Sequence, residues 1–279
     1  MLIDAHTHIL PASFPRRHAE LLARDATYAS LFPNPNSRLA TAEDLVRAMD
    51  QAGVELSVVM GMGWKDPGLA VECNNYIIQS AANYPDRIVG FCSVNPALGD
   101  DAATEIERCS RAGLRGIGEL HADTQGFDIT DRPLMRPLMD TARDLGMPVV
   151  VHASEPVGHL YPGKGLTTPD KVYRFIENFP ENIIICAHWG GGLPFYALMP
   201  EVPKVMKNVY FDSAASPFLY RPEVFAAVAG LAGADKVLFG TDYPLIGQRR
   251  LLKQVEASDL DASAQQAILG GNAARLLGL

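Results

Sequence analysis

Cysteine is scarce in this chain of 279 residues. Cys73, Cys92, Cys109 and Cys186 lie far apart, and none forms a CxxC pair. That pattern argues against a disulfide scaffold and fits reduced thiols in a cytoplasmic protein. Basic runs are absent. With 24 Lys and Arg against 32 Asp and Glu the net charge is −8, which argues against a nucleic-acid partner, since that would need a basic footprint. One or two arginines could still hold an anionic small molecule. Long apolar runs are absent as well: Val149–Val151 and Ile183–Ala187 are far shorter than the ~20 residues that span a bilayer. Met1-Leu2-Ile3-Asp4 lacks the basic start of a signal peptide, so a cytoplasmic location without membrane contact is expected. No GxSxG elbow occurs, and Gly61-Met62-Gly63 and Gly116-Ile117-Gly118 lack the third glycine of a dinucleotide loop. Neither a serine hydrolase nor a nicotinamide enzyme is supported.

What is present is alternation. Eight short apolar runs rich in Val and Ile recur along the chain: Leu2–His6, Val54–Met60, Ile88–Val94, Leu114–Glu119, Pro148–His152, Ile183–His188, Val209–Asp212 and Val237–Gly240. Such runs suit strands buried on both faces. Helix signals separate them. Thr41 precedes Glu43 and Asp44, Asp131 precedes Pro133, and Thr168 precedes Pro169, while Gly53, Gly113 and Gly146 stand where helices should stop. An open doubly wound sheet would also alternate, but eight evenly spaced units in a chain close to the ~250 residues typical of a (β/α)8 barrel favour closure. The chain reads as one domain over residues 1–279, with an insertion, Pro11–Ala40, after the first strand. The stretch Phe32-Pro33-Asn34-Pro35-Asn36 reads as a surface loop in that insertion, and a loop of this length suggests a lid.

The chemistry-bearing residues sit at the ends of these runs. His6 and His8 are two apart at the end of the first, so a strand would turn both imidazoles the same way. Alone, HxH is a modest signal. Glu119, His152 and His188 each end a run, and Asp242 follows the last. In a barrel those ends share one rim, where barrel enzymes place their sites. Imidazole and carboxylate suit Zn²⁺, Mn²⁺ or Fe²⁺, and an open position beside such ligands makes the site catalytic rather than structural. Asp242 is placed both to bind the metal and to take a proton from its water. Weaker features surround this set. Gly158–Gly165 nearly spells a phosphate loop but has Gly165 where Ser or Thr should stand, so it reads as a mobile loop over the site. Lys164 there is either a substrate contact or a solvated lysine. Trp189, before Gly190, Gly191 and Gly192, and Tyr161 are aromatic candidates for holding a substrate. His121 and His159 are substrate contacts or surface histidines, and His18 is expected to be exposed in the insertion.

The stretches Ile3–His8, Val151-His152-Ala153, Ala187–Gly191, Phe239–Pro244 and Gly271–Leu277 together resemble the amidohydrolase superfamily. More narrowly, they are similar to the amidohydrolase-related group, which holds metal-dependent hydrolases such as lactonases and decarboxylases of the aminocarboxymuconate-semialdehyde type. The resemblance runs the length of the chain. It implies a distorted (β/α)8 barrel in which His6, His8, His152 and Asp242 bind one divalent metal, with Zn²⁺ expected first. It also implies that His188 is a catalytic histidine beside that metal. Gly118-Glu119 resembles the strand-four glutamate of binuclear members. Glu119 is therefore either a further ligand, with His188 then on a second metal, or a carboxylate orienting a ligand histidine.

The leading expectation is hydrolysis of an ester, lactone or amide of a small molecule by metal-activated water, with His188 assisting and Asp242 moving the proton. The alternative is non-oxidative decarboxylation of a small aromatic or unsaturated acid on the same site, for which Arg221, Arg249 and Arg250 are candidate carboxylate contacts. A non-catalytic metal-binding barrel is the third reading. A homodimer is expected only on the general frequency of dimers.

Overall fold

The computed structural model describes residues 1–279. Each apolar run forms a strand: β1 Ile3–Thr7, β2 Leu56–Val59, β3 Ile88–Gly90, β4 Ile117–Leu120, β5 Val149–Val151, β6 Ile184–Cys186, β7 Val209–Asp212 and β8 Val237–Leu238. All pairings are parallel, in two ladders, β1-β2-β3 and β4-β5-β6-β7-β8. The ladders close into a ring through two thin seams. At one, Cys92 bridges Ile117 and the Gly118 amide donates to the Cys92 carbonyl at 2.8 Å. At the other, Thr7 bridges Tyr243, and the Ala5 amide donates to the Phe239 carbonyl at 2.7 Å. The result is the expected distorted (β/α)8 barrel, with strands in sequence order.

Alternation along the strands divides the core. Val149 and Val151 of β5 pack with the surrounding helices, whereas Val150 joins Ile3, Val58, Ile185 and Leu238 in a second cluster inside the ring. Ala273 and Leu277 of the final helix pack on that inner cluster. Helix starts follow the sequence signals. Thr41 and Asp44 form a reciprocal capping box, and the Asp131 carboxylate accepts from the Leu134 amide. Gly53, Gly113 and Gly146 all take positive φ. Helix 132–144 tolerates an internal Pro137.

The insertion departs from expectation. Instead of a long loop it carries a short turn at Phe14–Arg17 and helices at His18–Arg24 and Ala26–Leu31. Phe14, Leu21, Tyr28 and Phe32 form a separate small core with Met62 and Trp64 of the segment after β2. Arg24 reaches Asp66 at 2.8 Å, and Arg17 pairs with Glu72. Apolar side chains spaced along a polar segment had enough partners on the next loop to fold it down. His18, expected to be exposed, is half-buried with Nδ1 3.1 Å from the Tyr28 hydroxyl. Pro33–Asn36 form its longest exposed run.

Candidate metal centre

The rim at the C-terminal ends of the strands gathers the histidines. β1 is not a regular strand: its register shifts between Asp4 and Thr7, and β4 shifts between Ile117 and Leu120. Such irregularities re-aim side chains beside active sites. They bring His6 Nε2 within 3.1 Å of His8 Nε2 and carry Glu119 inward. Asp242 Oδ1 is 3.2 Å from His8 Nε2, and Glu119 Oε2 is 3.6 Å from His6 Nε2 and 3.8 Å from His8 Nε2. The other Glu119 oxygen, Oε1, lies 2.9 Å from His152 Nδ1 and 3.2 Å from His188 Nε2. Two triads, His6-His8-Glu119 and Glu119-His152-His188, therefore share one carboxylate. All of these residues except Asp242 are buried, and Asp242 is nearly so.

Backbone strain concentrates here. The four non-glycine residues with positive φ are His188 (55°), Trp189 (59°), Ala215 (57°) and Asp242 (66°), all in the turns after β6, β7 and β8. A left-handed non-glycine residue costs on the order of 1 kcal/mol or more and persists where surroundings over-determine it. Here the Asp242 amide donates to the His6 carbonyl at 2.9 Å, and the His188 amide to Asp212 Oδ1 at 3.1 Å.

The orienting bonds decide which nitrogen faces the centre. His8 Nδ1 donates to the Met60 carbonyl and His188 Nδ1 to the Ala214 carbonyl, both at 3.1 Å. His6 Nδ1 donates to Asp212 Oδ2 at 2.8 Å. Each of these imidazoles turns Nε2 inward, and a carboxylate or carbonyl behind the ring raises its basicity. Two Nε2 lone pairs 3.1 Å apart beside two carboxylates need a proton or a cation between them. The donor set, imidazole nitrogens with carboxylate oxygens, fits a divalent cation.

Titration behaviour follows the same crowding. Burial would lower the His6 pKa, yet Asp212 and Glu119 hold it well above the usual value. Burial would likewise lower His188, but its bond to Glu119 and the nearby Asp242 push it up to about 9. Burial acts to raise Glu119 and Asp242. The charges and hydrogen bonds of His152, His188 and His6 around the first, and of His8 around the second, nevertheless hold both below the carboxylate range. Asp4 behaves oppositely: buried within β1, it is raised to about 6 despite accepting from the Thr241 amide and hydroxyl.

A cavity of about 520 Å³ opens over this cluster, within the range of small-molecule sites. His8, Glu119, His152, His188 and Asp242 line it, as do His121, His159 and Tyr161. Lys164 does not: its ammonium is spent on the Val157 and His159 carbonyls. Trp189 does not either. It is fully buried, edge-on to Phe225 at 4.9 Å, with its indole N–H on Ser216 Oγ at 2.9 Å. Its left-handed backbone turns the ring into the helix-facing core. The expected carboxylate arginines are elsewhere. Arg221 and Arg249 are exposed, the latter bonded to the Gln51 carbonyl, and Arg250 sits over the outer Phe218 ring. The one Lys or Arg that lines the cavity is Arg38, from the insertion. Sequence reading missed it, along with Asp212 and Ser154. Asp212 carried a usable signal, since it ends a predicted strand as Glu119 does.

A model of the amidohydrolase family matches residues 3–279. The chain is 24% identical over 330 residues to 2-amino-3-carboxymuconate-6-semialdehyde decarboxylase of Dictyostelium discoideum, covering 99% of this chain and 91% of that protein. It is 23% identical over 303 residues to gamma-resorcylate decarboxylase of a Polaromonas species, covering 89% and 91%. Among solved structures, 5-carboxyvanillate decarboxylase of Novosphingobium aromaticivorans, complexed with manganese and a nitrobenzoic acid, superposes with a TM-score of 0.79 at 18% identity, covering 100% of this chain and 96% of that one. These findings correct two expectations. The relatives are decarboxylases, not hydrolases of esters, lactones or amides, so hydrolysis gives way to the alternative. The metal in that structure is manganese, so zinc loses its priority. No helix is long and apolar enough to cross a membrane.

Proposed function

The chain is an enzyme of the amidohydrolase family, and on that premise we propose that it removes CO₂ non-oxidatively from a small aromatic or unsaturated carboxylic acid, using a divalent cation with Mn²⁺ first in order. The observation that carries the reading is the cavity itself: a ring-sized space with a carboxylate-and-imidazole cluster on one part of its lining and a single guanidinium, Arg38, on another. Phe32 and Phe218 add apolar side chains to the lining.

His6, His8, His152 and Asp242 would hold the cation, with Glu119, which faces His152 Nδ1 and both imidazoles of β1, beside them as a further ligand. Once bound, the cation supplies charge to fix the substrate's oxygens and to stabilise negative charge as the reaction proceeds. The chain's own groups do the rest. Decarboxylation exchanges a carbon–carboxylate bond for a carbon–hydrogen bond. A proton goes to the ring carbon, the electrons of the breaking bond return to the ring, and CO₂ leaves. His188 is the proton donor in this scheme, because its Nδ1 is held on the Ala214 carbonyl and its Nε2 faces the cavity beside Glu119. Asp242, ionised at rest, passes a proton from solvent back to His188 when the site resets. Arg38 orients a carboxylate or phenolate at the outer end, by the bidentate geometry that guanidinium favours. The small insertion core of Phe14, Tyr28 and Trp64 holds that wall in place.

The test is product analysis. Protein loaded with Mn²⁺ is incubated with a panel of hydroxybenzoic and unsaturated dicarboxylic acids beside lactones and esters. The expected result is metal-dependent CO₂ release from at least one acid, with the carbon–hydrogen product. Turnover of the neutral esters with no CO₂ from any acid would overturn the reading.

A further inference from the structure

Arg38 lines two cavities. Besides the space of about 520 Å³ over the donor cluster, it borders a second of about 280 Å³, near the small end of ligand sites. No residue of the donor cluster lines this smaller cavity. The helix Ala42–Ala52 supplies Asp44, Arg47 and Gln51 to it, three residues whose spacings of three and four put them on one face. Tyr243 is the partition. It lines the smaller cavity, while its neighbours Asp242 and Pro244 line the larger. Its place is fixed: it is buried, its carbonyl accepts from the His8 amide at 2.7 Å, and its amide donates to Thr241 Oγ1 at 3.1 Å. Arg38 is the movable wall. It is exposed, its guanidinium lies over the Tyr243 ring at 5.6 Å, and no carboxylate of the chain pairs with it.

Charge in the smaller cavity is unbalanced. Asp44 is its single carboxylate, and both oxygens are taken. Oδ2 accepts from the Thr41 amide and hydroxyl, each at 3.0 Å, and Oδ1 pairs with Arg47. Arg47 spends Nη2 on that bond and keeps its other N–H groups. A third guanidinium, that of Arg249, is held on the Gln51 carbonyl at 2.8 Å. Two lining guanidiniums against one occupied carboxylate suit an anion, and they leave no free carboxylate for a cation.

We propose that the smaller cavity binds a small oxyanion between Arg38 and Arg47, and that the bound anion competes with the substrate for Arg38. A guanidinium holds an oxyanion through paired N–H bonds, and one side chain cannot serve both cavities at once. The coupling is reciprocal: an anion in the smaller cavity weakens substrate binding by the same factor as substrate weakens the anion. The competition rests on the role of Arg38 toward the substrate proposed above, whereas the anion site itself does not.

The probe is sulfate, titrated calorimetrically into full-length protein loaded with Mn²⁺, at an ionic strength held constant with chloride. Wild type is compared with Arg47→Gln and Arg38→Met. Arg47 is exposed and lines only the smaller cavity of the two. In Arg47→Gln, kcat and KM without sulfate should therefore stay within about twofold of wild type. Wild type should bind sulfate, and each variant should bind it ~10-fold or more weakly, the loss of one charged hydrogen bond. Saturating sulfate should raise the wild-type KM for an acid substrate, by no more than the ~10- to 100-fold that loss of Arg38 costs, at unchanged kcat. The same sulfate concentration should leave KM unmoved in Arg47→Gln. No sulfate binding, or equal binding by wild type and Arg47→Gln, overturns the anion site. Sulfate held through Arg47 with KM unmoved overturns the competition. Failure of every acid to turn over overturns the decarboxylase reading and the competition with it, and the calorimetry still decides the anion site.

Discussion

The donor-bearing strand ends and the segments that cover them are built in different ways. His6, His8 and His188 each have a ring nitrogen anchored by a backbone carbonyl or by Asp212, and all three are at most 6% exposed. The covering strap, residues 155–168, is held at its end by Asp123 and Ser154, spends Lys164 on its own Val157 and His159 carbonyls, and leaves Leu160 89% exposed. The lower layer fixes positions to fractions of an ångström, as catalysis requires. The upper layer can change shape and composition without disturbing the fold, which is where specificity belongs. The insertion stands between them, a covering segment with a small core of its own.

The sharpest way to break this contrast is to change a donor without changing its shape. Asp242→Asn keeps the size but cannot take a proton and gives His8 a weaker partner. The expected loss in kcat is 10³-fold or more, with the thermal midpoint of the protein little altered. A variant that kept a tenth of the wild-type rate would show that Asp242 lies outside the chemistry.

One step back from the donors, Asp212→Asn removes the carboxylate behind His6. Its other oxygen also holds the amides of His188 and Ala214. Mn²⁺ affinity should fall ~10- to 100-fold, with activity restored at high metal concentration. Rates that stay low at saturating Mn²⁺ would instead place Asp212 in the turnover itself.

The same layering explains what could be read from the amino acids alone. The strands were legible because each is a short Val/Ile run with a stop signal on either side, and the rim residues were legible because strand ends are countable. Register shifts were not. They arise from how β1 and β4 meet neighbours remote in sequence, and they carried Glu119 to the middle of the cluster, where sequence reading left ligand and orienting roles open. Trp189 was misplaced for a related reason. Adjacency to His188 suggested the cavity, but a left-handed backbone at 189 sends the indole into the core. Arg38 was missed because nothing local marks a residue whose segment is folded over the site by Phe14, Tyr28 and Phe32.

Arg38 sharpens the contrast from above. Arg38→Met keeps the length of the side chain and removes its charge. If the guanidinium binds an anionic group of the substrate, KM should rise ~10- to 100-fold, the worth of one charged hydrogen bond, while kcat and Mn²⁺ affinity stay within about twofold. A fall in kcat at unchanged KM would move Arg38 from recognition to chemistry.

The smallest expected effect separates Trp189 and Lys164, the two of the four substrate-contact candidates that do not line the cavity. Lys164→Ala removes only bonds internal to the strap, so KM and kcat should both stay within about twofold. Trp189→Phe should leave KM equally unmoved, since the indole does not line the cavity. It should nonetheless lower stability by roughly 1–3 kcal/mol, because it loses the bond to Ser216 and buried ring volume against Phe225. The pair forms an internal control. A stability loss at Trp189 with no change at Lys164 is the signature of a core residue beside a solvated one. A KM increase in either variant would mean that the strap and the turn after β6 move far enough to bring that side chain onto the substrate.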